Sequence, residues 1–433
     1  MGFRTVVKKF IPKRLFRKIE PYGHLLEAFL FHTLSGFPAR NFKIIGVTGT
    51  NGKTTTSFMI HRMLHEAGFN VGLMSTVAYG VGEDIRPQIH HMTNVTVPEL
   101  VQRLKWMKRQ KIDWLVLETT SHALAQNRVW GVPYSIAVMT NVTHEHLDQH
   151  GTFERYRDAK RKLFWITDFN KKGKRVGIIN ADDPSAELFI SDINRPITYG
   201  IEEGDLKAQN VKLTPGGSRY QAVFKDRELR VECHIPGSFN VYNSLAAAAV
   251  GGVIGLGKEE IERGIAALRR VEGRMDPVDE GQDFSVIVDF AHTPDSFEKL
   301  FKDLRPVVKC KLIVLFGSAG RRDEAKRAIQ GKLAGEYADE VIITEEDDRD
   351  IDGVEIMNMI ASGAEAAGKD RDKNLFLVHD RTEAINFAMS RAKRGDTVLL
   401  LGKGHEKTIE RADGEHDWDE IATAREALQK LKK

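Results

Sequence analysis

The sequence predicts an α/β protein of two successive parallel-sheet domains, on three observations. Short apolar strands alternate with helical stretches along most of the chain. A glycine-rich turn links the first of these strands to the helix after it, and the strand–helix pattern starts afresh beyond Gly273. The length of 433 residues suits two or three domains and several buried cores. A composition of 41% apolar and 29% charged residues is that of a soluble, enzyme-like chain. The two cysteines, Cys233 and Cys310, are far apart, which excludes a disulfide framework and a thiolate zinc site and fits a reducing cytosol. The 64 basic residues nearly balance the 61 acidic ones, so no nucleic-acid partner is expected. No apolar run approaches the roughly 18 residues of a membrane span. The apolar stretch from Leu25 to Leu34 carries Glu27 and His32, so it does not read as a cleavable leader. A cytoplasmic location is expected.

Residues 1–40 stand apart as a short basic segment. Arg4, Lys8, Lys9, Lys13, Arg14, Arg17, Lys18 and Arg40 face only Glu20 and Glu27, with phenylalanines interleaved. The pattern predicts one or two amphipathic helices broken near Pro21 and Gly23. Such a segment either packs on the next domain or touches an anionic membrane surface or a partner protein.

Residues 41–273 form the expected central domain. Its strands are FKIIGV (Phe42 to Val47), WLVLE (Trp114 to Glu118), SIAVMTN (Ser135 to Asn141) and RVGIIN (Arg175 to Asn180). A helical run covers Ser57 to Ala67, a β-rich stretch covers Ile197 to Ile235, and an alanine-rich helix covers Val241 to Val250. Residues 274–433 form the second domain, with strands SVIVDF, KLIVLFG, EVIITE, LFLV and TVLLLG and a final helix from Asp419 to Lys430. The expected fold class is therefore a central P-loop, mononucleotide-binding domain followed by a C-terminal Rossmann-like α/β domain.

GVTGTNGKTTT, from Gly46 to Thr56, follows a strand and opens a helix. Glycines let a backbone wrap a phosphate, and the helix N-terminus adds free N–H groups and positive dipole. Lys53 would reach the β/γ-phosphates and the Thr54 hydroxyl would sit on Mg²⁺. ETTSHALAQNRV (Glu118 to Val129) and TNVTHEHLDQHGTFERYRDAK (Thr140 to Lys160) begin at two further strand ends, where ligands bind in a doubly wound sheet. Glu118 and His146 are metal-ligand types suited to Mg²⁺ beside a phosphate.

Together with PGSFNVYNSLAA, these motifs resemble the Mur ligases of peptidoglycan synthesis, from about Ile44 to the C-terminus. EGRMD (Glu272 to Asp276), DFAHTPDS (Asp289 to Ser296), FGSAGRRDEAKR (Phe316 to Arg327) and GKGHE (Gly402 to Glu406) are similar to the MurE-type branch, which adds the third residue of the stem peptide. The resemblance implies an ATP-dependent ligase that joins a diamino acid to UDP-N-acetylmuramoyl-L-Ala-D-Glu through an acyl phosphate. It implies ATP and Mg²⁺ as cofactors, the UDP-muramoyl dipeptide and a diamino acid as partners, and a monomer; a partner protein of residues 1–40 would then be another cell-wall enzyme. The family normally carries a whole N-terminal domain for the uridine nucleotide, and here only the basic segment precedes the P-loop strand.

The site residues follow from the resemblance position by position. Gly49, Thr50, Asn51, Gly52, Lys53, Thr54 and Thr55 would bind ATP, with Asn240, Asn243 and Asp289 on the nucleotide. Thr54, Glu118, His146 and Lys160 as its carbamate would hold the metals, with Lys53, His146 and Lys160 as the catalytic set. Thr96, Thr120, Gln126 and Arg128 would bind the UDP-muramoyl dipeptide. Arg322, Asp347, Arg349, Gly402 and Glu406 would bind the amino acid. The family's diaminopimelate branch uses Asp-Asn-Pro-Arg, whose arginine forks onto the distal carboxylate. Here the stretch is Glu346-Asp347-Asp348-Arg349: the arginine is kept, and the added acidity favours an ammonium. meso-2,6-Diaminopimelate is the expected substrate, with L-lysine, a Mur-like ligase of other specificity or an ATP-binding scaffold as alternatives.

Overall fold

The computed structural model describes residues 13–88, 93–143, 145, 147–214, 216–224 and 227–431. The chain divides into two compact units. The first comprises residues 1–211, 220–232 and 239–268; the second comprises 269–433 with 212–219 and 233–238.

The first unit is organised by an eleven-stranded sheet. In chain order its strands are β1 (Lys43–Thr48), β2 (Val71–Met74), β3 (Ala78–Val81), β4 (Asp84–Pro87), β5 (Trp114–Glu118) and β6 (Tyr134–Met139). They continue with β7 (Val176–Asn180), β8 (Pro196–Gly200), β9 (Leu206–Thr214), β10 (Gly217–Phe224) and β11 (Arg227–Cys233). The spatial order is β11-β10-β9-β8-β7-β6-β1-β5-β2-β3-β4. Strand β1 lies between β5 and β6, parallel to both. β5 and β6 are buried along their whole length, as central strands covered on both faces must be. The core against one face joins Leu100, Leu104 and Met107 of the helix Val97–Arg109 to Leu163 and Phe164 of the helix Phe153–Phe169.

The second unit holds a six-stranded sheet: β12 (Asp276–Pro277), β13 (Ser285–Asp289), β14 (Leu312–Phe316), β15 (Glu340–Ile343), β16 (Leu375–Leu377) and β17 (Thr397–Leu401). Its order is β12-β13-β17-β14-β15-β16, parallel except for β12. The strands fall where the apolar runs put them, within a residue or two at either end. The P-loop helix starts earlier than its apolar pattern suggests, at Lys53 rather than Ser57, because its first turn is polar.

The N-terminal segment differs from expectation. Among the described residues, one helix, Lys13–Leu34, continues through Pro21 and Gly23 without a break. A proline inside a helix costs about 3 kcal/mol through its missing N–H and its ring, so tertiary packing must hold this one together. His24, Ala28 and His32 recur every fourth residue and are buried against the first unit. The His32 ring stacks on Phe37 and meets Trp130 edge-on. Asn127 Nδ2 donates to the Pro21 carbonyl at 3.3 Å, tying down the proline turn itself.

Candidate functional site

The turn after β1 is built for a ligand that approaches the backbone. Gly49 has φ 151° and Gly52, which precedes the helix Lys53–Glu66, has φ 82°. A Cβ at Gly49 would lie 1.9 Å from Thr140 Oγ1, and one at Gly52 would lie 2.3 Å from Asn243 Oδ1. Both positions therefore require glycine for space as well as for conformation. The turn is strapped to the end of β6: Thr140 Oγ1 donates to the Asn51 carbonyl at 2.6 Å, and Asn141 Oδ1 accepts from Asn51 N at 2.9 Å. Thr50 Oγ1 pairs with the Tyr156 hydroxyl at 3.0 Å. Lys53 folds its ammonium back to the Thr50 carbonyl at 2.7 Å, over the mouth of the loop.

Glu118 ends β5 with its carboxylate fully buried beside this turn. Thr54 Oγ1 donates to its Oε2 at 3.0 Å, and Thr76 reaches it twice, from its backbone N at 2.9 Å and its hydroxyl at 3.0 Å. Among the described residues, its hydrogen-bond donors are two hydroxyls and a backbone amide. A buried oxygen set of this kind suits a hard divalent ion. His146, expected among the metal ligands, lies outside the described residues.

Lys160 enters from the helix Phe153–Phe169 and is 1% exposed. Its Nζ donates to the Gly49 carbonyl and lies 4.3 Å from the centre of the Tyr156 ring. Burial, and then the neighbouring Lys53 ammonium, hold the amine well below its usual pKa, against the opposing pull of Glu145 and Glu118. Asn243 joins the loop from the helix Phe239–Ile254. Its Oδ1 accepts from Thr56 Oγ1 at 3.1 Å and its Nδ2 donates to Asn240 Oδ1 at 2.8 Å.

Thr120, Gln126 and Arg128 cluster around the short helix Ser121–Ala125 after β5. Thr120 caps that helix by accepting from Ala123 N, and Arg128 is buried with Nη1 on the Asn94 carbonyl at 2.7 Å. Thr96 is exposed at the start of the helix Val97–Arg109 and makes no cap hydrogen bond there.

In the second unit, Asp289 accepts backbone N–H bonds from Met275 at 2.7 Å and Ala291 at 2.8 Å, so it pins the strand end it terminates. Arg322 is exposed in the loop after β14. Asp347 and Glu406 converge on Lys403, whose fully buried ammonium lies 2.9 Å from Asp347 and 2.7 Å from Glu406. Burial raises the Glu406 carboxyl despite that lysine, whereas Lys403 draws Asp347 down against its own burial. Gly402, at φ 102°, leaves room for Glu346: a Cβ there would stand 2.6 Å from Glu346 Oε2. Arg349 is held by Glu410 Oε2 and the Gly320 carbonyl, each at 2.6 Å from Nε and Nη1 respectively.

Two family models match the chain, the Mur ligase middle domain over residues 47–251 and the Mur ligase glutamate ligase domain over 273–404. A UDP-N-acetylmuramyl-tripeptide synthetase of Roseiflexus sp. (strain RS-1) is 42% identical over 411 residues, 92% of this chain and 80% of the relative. The chain belongs to the Mur ligase family. A second relative is the UDP-N-acetylmuramoyl-L-alanyl-D-glutamate–2,6-diaminopimelate ligase of Geobacillus thermodenitrificans, 38% identical over 418 residues, with 95% of this chain and 84% of the relative covered. A solved structure of a ligase of that same name aligns with TM-score 0.65 at 30% identity, covering 90% of this chain and 79% of the other. A Mycobacterium tuberculosis folylpolyglutamate synthase shares the fold, with TM-score 0.68 at 16% identity over 94% of this chain and 95% of the other. This Mur ligase is an ATP-dependent amide ligase of the MurE type, which acts in peptidoglycan synthesis.

Four of its site neighbours escaped the sequence reading. Thr76 completes the donors around Glu118, and Asn94 links Glu118, Thr120 and Arg128. Lys403 and Glu410 organise the acidic loop and Arg349. Asn94 and Lys403 both lie inside motif stretches, NVTVPEL and GKGHE, and that placement was the available signal.

Proposed function

We propose that this Mur ligase joins meso-2,6-diaminopimelate to UDP-N-acetylmuramoyl-L-Ala-D-Glu, in the cytoplasm, with Mg²⁺ and a carbamylated Lys160. The observation that carries the amino-acid reading is the state of Arg349. Glu410 and Gly320 fix its Nε and Nη1, while Nη2 makes no hydrogen bond among the described residues. A fixed guanidinium with donors to spare suits a carboxylate, which diaminopimelate has at its distal end and lysine lacks. Glu346, Asp347, Asp348 and Glu406 gather negative charge in the same loops, which suits the ammonium groups of a diamino acid.

Lys53 and the N–H groups at the start of the helix Lys53–Glu66 would receive the ATP phosphates, and Glu118 with Thr54 would hold Mg²⁺. Mg²⁺ bound there neutralises phosphate charge and fixes the phosphate geometry. The glutamyl carboxylate attacks the γ-phosphorus and ADP departs; the incoming neutral amine then attacks the acyl carbonyl, giving up a proton as phosphate departs. Lys53, close to the turn, stabilises charge that moves from the γ-phosphoryl onto the leaving ADP.

The carbamate reading rests on charge. A buried amine beside the Lys53 ammonium is disfavoured as a cation, and a neutral amine is the form that adds CO₂. Addition of CO₂ with release of a proton to solvent would give a carbamate anion beside Lys53, which removes the repulsion. Among the described residues no helix is long and apolar enough to cross a membrane.

Phosphate release with ATP, the UDP-muramoyl dipeptide and a panel of amino acids tests the reading. Release that needs all three reactants, and is fastest with meso-diaminopimelate, supports it. Equal turnover with L-lysine would overturn the role given to Arg349.

A further inference from the structure

The N-terminal helix Lys13–Leu34 presents two unlike faces. His24, Ala28 and His32 are buried against the first unit, with His32 held among Phe37, Trp130 and Gly131. Large apolar side chains occupy the other side. Of thirteen exposed large hydrophobics among the described residues, seven belong to this one helix. Six of them, Ile19, Tyr22, Leu26, Phe29, Leu30 and Leu34, recur at i, i+3, i+7, i+10, i+11 and i+15, a single stripe at helical period. Exposure reaches 73% at Tyr22, 60% at Leu26 and 85% at Leu34. Scattered apolar residues are ordinary on a surface, but a stripe of four turns marks an interaction face.

The sequence supplies the second observation. Residues 1–18 contain Arg4, Lys8, Lys9, Lys13, Arg14, Arg17 and Lys18 and no acidic residue. An apolar helix stripe that continues a run of cations is matched by a surface offering hydrocarbon beneath anionic headgroups. A second copy of the chain would bring the same cations together and repel itself.

We infer that the helix Lys13–Leu34 docks this ligase on an anionic lipid surface, lying along it with the Ile19-to-Leu34 stripe inserted. The inference does not depend on which amino acid is joined. The helix meets the first unit through Asn127, which bonds the Pro21 carbonyl, and Trp130, which packs on Phe29 and His32, in the loop that also carries Gln126 and Arg128. The lipid-facing helix thus abuts the segment proposed to hold the UDP-muramoyl dipeptide.

Co-sedimentation of the full chain with vesicles tests the proposal, using phosphatidylcholine alone or mixed with phosphatidylglycerol. Partition should be at least about tenfold stronger onto the anionic vesicles and should weaken as salt screens the cations. The double variant Leu26→Glu/Leu30→Glu changes exposed positions only, so it should keep its ligation rate and lose about tenfold or more in partition. Failure to bind either vesicle overturns the proposal, as does unchanged binding by the double variant. A concentration-dependent dimer that the same variant abolishes would assign the stripe to self-association instead.

Discussion

His61 gives the P-loop helix a pH dependence whose size can be worked out in advance. The ring is 5% exposed on the helix Lys53–Glu66, with Nε2 3.3 Å from the Val71 carbonyl. Burial first, and then His65 and Arg62, lower its pKa from 6.5 to about 4. The folded chain thus keeps the imidazole neutral where the unfolded chain has already taken up a proton. The stabilisation is complete above pH 6.5 and is lost as pH falls through that value toward about 4. At 1.36 kcal/mol per pKa unit the loss should be about 2 kcal/mol between pH 7 and pH 5 and about 3 kcal/mol by pH 4. His61→Gln keeps a hydrogen-bonding side chain but cannot titrate. Urea denaturation of both proteins across this range isolates the term: the gap between their stabilities should change by those amounts. Parallel curves would refute the reasoning and show that the folded site accepts the proton at no cost.

Other groups test other parts of the structure. Burial pushes the Asp276 carboxyl up to about 6, so its contribution is present below 3.8 and lost as pH rises through about 6, opposite in sign to His61. Asp276→Asn should therefore gain about 1–2 kcal/mol at pH 7 and little at pH 4, read by the same denaturation. Arg381 and Glu420 form a fully buried two-bond pair at 2.6 and 2.9 Å, and Arg381→Met should cost about 3–5 kcal/mol in thermal unfolding. Restoring neutrality with Glu420→Gln should recover part of that loss. Gly49→Ala drives a Cβ into Thr140 Oγ1, so ligation should fall at least about a hundredfold; Thr140→Ala should return some of it, measured as phosphate release. Lys160→Ala should abolish turnover, and a short carboxylate added to the assay should restore part of the rate.

The strands were legible because parallel strands buried on both faces must be written as continuous apolar runs, as in WLVLE and TVLLLG. The P-loop was legible because two of its glycines are forced by both backbone angle and space. The N-terminal helix was misread for the complementary reason: Pro21 is a local veto, and the packing of His24, Ala28 and His32 that overrides it is not local. Thr76 and Lys403 escaped for a similar reason. Each reaches a carboxylate far along the chain, Glu118 for the first and Asp347 for the second, and although Lys403 also pairs with Glu406 three residues on, neither long separation has a fixed spacing to betray it.

Asn94 shows how the two halves of the first unit's site are joined. Its side chain donates to the Glu118 carbonyl at 2.8 Å and accepts from Thr120 N at 2.8 Å and Thr120 Oγ1 at 2.9 Å. Its own carbonyl accepts from Arg128 at 2.7 Å. One buried asparagine therefore fixes the strand end that carries Glu118, the hydroxyl at Thr120 and the guanidinium of Arg128. A shift in any of these is felt by the others, because a broken bond would leave a buried polar group unpaired at about 1–3 kcal/mol. Thr120 and Arg128 are thus held in register with Glu118 and, through Thr54, with the P-loop turn. If the muramoyl dipeptide rests on Thr120 and Arg128, its terminal carboxylate is positioned by the same frame that positions the phosphate it must attack. Such shared framing reduces the ordering needed at the moment of reaction, which is how a rigid site contributes to rate.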